Sequence, residues 1–213
     1  MSFPPKQPAR ASLAPDEQAM WDDVIERARK QSPGRDVDTD AGYYGRLLQS
    51  PPASYHLSEL GRFFRGVGDR PGSYSHHDRE VVDQVFAADW KTNCVAITHI
   101  NDALAVGVRM ELIEALRYGR EHELTQDEAA LVSFIRKVVT GKMDKAAWDP
   151  IEARMGERGV VEYACFILFL QTTMRGIQLM SGGIEPSDAE IDQMIADIKS
   201  GKREILDYRR MMN

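Results

Sequence analysis

Residues 158–181, RGVVEYACFILFLQTTMRGIQLMS, are apolar nearly all the way round a helical wheel. A helix without a polar face has no stable place on a surface and needs a core or a subunit interface around it. Gly156 and Ser181-Gly-Gly183 bound the run. Its longest unbroken apolar stretch, Tyr163 to Leu170, is about eight residues, against roughly 20 for a membrane span. The rest of the chain must supply the partners that bury it.

Those partners read as helices too. Helical periodicity and stop signals place them at about 16–30, 42–48, 53–67, 76–91, 94–106, 109–118, 125–140, 144–156 and 187–199. Ser75 with Asp78 and Thr125 with Glu128 have the spacing of capping boxes, and Pro186-Ser187 opens the last helix. Ser32-Pro33-Gly34 and Gly107 read as stops. No segment alternates as a strand would. The expected fold is all-α, a compact multi-helix bundle in a single domain over 15–200. Residues 1–14, rich in proline, read as a flexible or surface-hugging arm, and 201–213 as a tail.

Charge narrows the function. With 27 basic and 33 acidic residues, the net charge of -6 argues against nucleic acid, which selects basic surfaces. The N-terminus has no apolar leader, so a cytoplasmic protein that does not contact a membrane is expected. Cys94 and Cys165 do not make a disulfide framework in 213 residues and read as buried free thiols. The glycines at 66–72 lack the spacing and lysine of a phosphate loop, and no serine elbow occurs.

The chemistry gathers in EVVDQVFAADWKTNCVAITHINDALAVG, residues 80–107. Glu80 and His99 flank a helix–helix junction, and a carboxylate beside an imidazole moves protons. Glu80 near a helix start also suits the macrodipole without any function. Thr92 and Asn93 read first as caps for the helix near Cys94, and second as groups that orient a substrate oxygen. Trp90, Phe86 and Tyr118 are candidates for an apolar wall that excludes water. His76 and His77 are adjacent at a helix start and point different ways, so no metal site is expected.

The order of these elements resembles the carboxymuconolactone decarboxylase-like family and its alkyl hydroperoxidase D branch. That branch carries Glu, eleven residues, Cys-x-x-Cys, three residues, His. Laid on this chain, Glu80 and His99 match the outer positions, while Thr92 and Val95 replace the cysteine pair. Ala103, Ala105, Gly107 and Val108 are similar to the family's following helix and turn, and Ser50-Pro51 and ERGVVEYACFILFLQTTMRG to segments outside the motif. The resemblance spans roughly residues 45–182.

It implies an oligomer, a trimer or a dimer of trimers, with a small-molecule substrate and no cofactor. It also implies catalytic roles for Glu80 and His99, without fixing which is the base. Peroxide reduction of the family type needs a thiolate and a resolving thiol, which Thr92 and Val95 do not provide. Cys94 is the nearest thiol, but it is about 140° round the helix from His99 at 100° per residue. The expected activity is therefore cofactor-independent acid–base chemistry on a small organic acid, lactone or carbonyl compound. A Cys94 peroxidase and a non-catalytic oligomeric scaffold are the alternatives.

Overall fold

A computed structural model describes residues 4–31, 36–67, 70–180 and 185–205. Among them the chain forms nine α-helices and no strand: α1 Pro15–Gln31, α2 Gly42–Leu47, α3 Pro51–Val67, α4 His76–Trp90, α5 Asn93–Ala105, α6 Met110–Arg117, α7 Gln126–Thr140, α8 Lys145–Met180 and α9 Asp188–Lys199. The stops expected at Ser32-Pro33-Gly34 and Ser181-Gly-Gly183 lie outside the described residues, as does the tail from 206 onward.

Where the helices start is decided by local chemistry. Ser75, Thr125 and Ser187 each accept a hydrogen bond from the N–H three residues on, and the carboxylates of Asp78, Glu128 and Glu190 each accept one from the backbone N–H of the cap residue. The last of these boxes completes the start marked by Pro186-Ser187. Two orphan donors are satisfied at each start.

The long apolar run is helical, as its pattern requires, but α8 is broken at Gly156, where φ is 73° and ψ 167°. That conformation is open almost only to glycine. A Cβ there would meet no atom within 4 Å, so the cost of substitution lies in the backbone alone. Gly156→Ala is expected to lower stability by about 1–3 kcal/mol, read from thermal unfolding. An unchanged midpoint would show that α8 tolerates a straighter course.

By contacts the chain divides into two compact units, residues 1–65 with 172–184, and residues 66–171 with 185–213. The first unit packs Trp21, Val24, Ile25, Val37 and Leu48 together, with Tyr44 and Tyr55 against them. Its N-terminal segment is tied down. The Gln7 side chain donates to the carbonyls of Val37 and Asp38 and accepts from the Ala41 N–H at 2.7 Å. Trp21 Nε1 donates to the Pro8 carbonyl at 3.2 Å.

The second unit holds the valine face of α4. Val81, Val82, Val85 and Phe86 are fully buried, as their spacing predicts. Tyr163 of α8 lies among Tyr74, Phe134 and Phe166, with ring centroids 5.3, 5.8 and 6.4 Å away. Its hydroxyl donates to the Asp78 carbonyl at 3.0 Å. The opposite face of α8 differs from the all-round burial its composition suggests: Val161 and Leu168 are exposed. An 18-residue stretch of α8 reaches a mean hydropathy of 1.2, enough by length and composition to cross a membrane. Tyr163, Phe166 and Ile167 nevertheless give this helix the role of a core element.

α4 and α5 form the hairpin that builds the site. α4 ends on Lys91 in the left-handed region, φ 52°. Lys91 N–H bonds back to the Ala88 carbonyl and Thr92 N–H to Ala87, the two bonds of a Schellman stop. The chain then reverses, so the C-terminal half of α5 returns alongside the N-terminal half of α4.

Candidate active site on the α4–α5 hairpin

His76, Glu80 and Asp83 stand at i, i+4 and i+7 on α4, one face of one helix. The reversal brings His99 of α5 onto that face. His99 Nδ1 lies 3.1 Å from Glu80 Oε2 and 3.5 Å from Asp83 Oδ2. The other oxygen of Glu80 lies 3.1 Å from His76 Nε2. One carboxylate is thus held between two imidazoles, and one imidazole nitrogen between two carboxylates. Glu80 and Asp83 are buried, while the His99 side chain remains 32% exposed. Its Nε2 makes no hydrogen bond to a described residue.

The electrostatics follow from this geometry. Burial by itself raises the pKa of Glu80, but its bonds to His76 and His99 outweigh that and pull it down to about 2. Burial works against the charged form of His99, yet Asp83 and Glu80 together lift it to about 9. Asp102, one turn beyond His99, moves the other way. Burial and then the charge of Glu80 raise its carboxyl above the usual range.

Nearby, Asp78 anchors the start of α4 through Ser75 and through Arg154 Nη2 at 2.7 Å. It is a structural charge: the buried carboxyl is pushed up by burial but held below its ordinary value by His77, Ser75 and Arg154.

The hairpin joins Glu80 and His99 as their spacing predicts. The remaining candidates stand elsewhere. Trp90 stacks on Phe86 at 4.2 Å, but ten residues of α4 separate it from Glu80, about 15 Å along the axis. Tyr118 donates to Asp192 at 2.9 Å and lines an open groove between α6 and α9 with Glu114, Ile195 and Lys199. Of the expected wall, Phe86 and Trp90 form one stacked pair, and the groove that Tyr118 lines includes neither of them.

Thr92 occupies the N-cap of α5 but makes no side-chain cap bond, contrary to the capping role expected of it. The side chain of Asn93 donates to the Pro186 carbonyl and Asp188 and accepts from Arg117, tying α5 to α6 and α9. The cap comes from Glu185, whose carboxylate accepts from the Cys94 N–H at 2.7 Å. A carboxylate at a helix N-terminus meets both the orphan donor and the macrodipole.

The thiols also differ from the expectation that both are buried: Cys94 is half-buried and Cys165 exposed. Burial, then the hydrogen bond and charge of Glu185, push the Cys94 thiol up to about 11. Its thiolate fraction is therefore small at neutral pH and grows only as pH rises towards that value. Glu185→Ala removes two of the raising causes, so the pH profile of Cys94 alkylation by iodoacetamide, followed by peptide mass, should move to lower pH. An unmoved profile would show that burial alone holds the thiol up.

His76 and Asp83 were not among the residues expected at the site. Their signal was available in the sequence, as the 76–80–83 spacing on a helix that already carried Glu80. Comparison with protein-family models, with curated proteins and with solved structures finds no match for this chain.

Proposed function

We propose that the chain is an enzyme of the carboxymuconolactone decarboxylase-like kind that moves a proton on a small carbonyl compound, with His99 as the group that touches substrate. One observation carries this reading. Glu80, clamped between His76 and His99, fixes the His99 ring through Nδ1 and leaves Nε2 for a ligand. An imidazole fixed at one nitrogen by a carboxylate is the arrangement acid–base catalysis uses.

The assignment of roles follows from how far the environments separate the groups. Glu80, held at about 2, is a poor base and acts as a positioning residue. His99 rests protonated below about 9 and begins as the acid, its Nε2–H donating to the substrate carbonyl oxygen. Asp102, with its raised carboxyl on the same face of α5, is the base that takes the proton from the adjacent carbon. Donation to oxygen and abstraction from carbon give the enol, and reversal at another carbon gives the isomer. Two buried carboxylates beside His99 favour a neutral lactone or ketone over an anionic acid.

A peroxidase using Cys94 is less well supported, because Glu185 and burial disfavour its thiolate. The same reading takes the protein as a homo-oligomer, and exposed Val161 and Leu168 on α8 support that part of it. The test of the reading is exchange of substrate C–H for solvent deuterium, followed by NMR over a panel of small lactones and ketones in the presence of chelator. Exchange that His99→Gln leaves untouched would end it.

A further inference from the structure

We propose that Glu80, Asp83 and His99 form a binding site for one divalent first-row transition-metal ion, with His76 holding Glu80 from outside the coordination shell. This goes beyond the acid–base reading and does not use its chemistry. The donor atoms of the three residues all lie within 4.8 Å of one another. The two edges that meet at His99 fit a shell around a common ion. With metal–ligand bonds of about 2.1 Å, neighbouring donors sit about 3.0 Å apart in an octahedron and about 3.4 Å in a tetrahedron. The observed 3.1 Å from His99 Nδ1 to Glu80 and 3.5 Å to Asp83 are edges of that size.

Chemistry and support agree with the spacing. One imidazole and two carboxylates suit zinc, cobalt, manganese or iron, whereas calcium and magnesium prefer an all-oxygen shell. Three protein donors leave positions for water or ligand, as in open sites. Glu80 and Asp83 are buried and come from successive turns of one well-packed helix, which fixes their carboxylates before any ion arrives. The 3.1 Å contact from His76 Nε2 to the far oxygen of Glu80 is the kind of outer bond that orients a ligating carboxylate. On binding, the ion takes the place of the proton that His99 Nδ1 shares with the two carboxylates.

The full-length chain, stripped with chelator and dialysed, is titrated with cobalt(II). One ion per chain is expected, with ligand-field absorbance in the visible that zinc displaces. Asp83→Asn and His99→Gln should each weaken binding by about 100-fold or more, and His76→Gln by roughly 10-fold. Far-UV circular dichroism checks that each variant is folded. A second measurement needs no variant: bound cobalt should shift or broaden the imidazole proton resonances of both His76 and His99. No saturable cobalt binding, binding indifferent to Asp83→Asn and His99→Gln, or unperturbed His99 resonances would each overturn the proposal. Deuterium exchange in chelator tests the acid–base reading separately, so failure of one is not read as failure of the other.

Discussion

His99→Gln is expected to reduce proton transfer by about 10²–10⁴-fold, the usual contribution of one positioned acid–base group. Glutamine is the informative replacement. Its amide N–H can still donate towards Glu80, so Glu80 and Asp83 are not left facing each other without a donor. Alanine would combine two losses, catalysis and the group between two buried carboxylates, and a buried charge stripped of its partner costs several kcal/mol. With glutamine, helix content and the unfolding midpoint should stay close to those of the unmodified chain while deuterium incorporation collapses. If the rate persists, proton transfer does not pass through His99. If rate and fold fail together, the cluster is a structural element first.

Tyr163→Ala should be the most damaging single change in the second unit, costing about 3–5 kcal/mol. Tyr163 is fully buried, and its ring stacks almost parallel to Phe134, at 5°. Truncation leaves a cavity lined by Tyr74, Phe134 and Phe166, three rigid rings that cannot collapse into it. It also removes the hydroxyl that satisfies the Asp78 carbonyl at the start of α4. Tyr163→Phe separates the two effects, because it keeps the ring and should cost about 1 kcal/mol. For a chain of this size each kcal/mol is roughly 2–4 °C of midpoint, so thermal unfolding resolves the pair easily. Equal losses in the two variants would mean that the hydrogen bond, not the stacked rings, holds this core. Since Asp78 lies two residues before Glu80, the same variants report on whether the aromatic core sets the register of the site.

Much of the helical layout was legible because its causes are local. The capping boxes at Ser75 and Thr125 act within four residues, and the Val81–Phe86 face is a matter of period. The site was legible in part. Glu80 and His99 stood out by their spacing, and the hairpin joins them at 3.1 Å. Adjacent His76 and His77 read as divergent, and Asp83 carries no mark of its own in the sequence, although both His76 and Asp83 sit on the same helical face as Glu80. Glu185 carries no local mark of its role. It caps α5 from 91 residues away, and no window along the sequence spans that distance.

Sequence alone thus determined that this chain is helical and where most of its helices begin, because capping, periodicity and glycine stops are decided by neighbours a turn or two away. Tertiary structure decided which side chains meet. The left-handed stop at Lys91 folds α5 back on α4, and only that reversal sets one imidazole between two carboxylates. The same level of structure moved Thr92, Asn93 and Trp90 away from Glu80 and His99 and gave the cap of α5 to Glu185. Burial and charge proximity, which set the chemistry of Glu80, His99, Asp102 and Cys94, are properties of that arrangement and of no single segment.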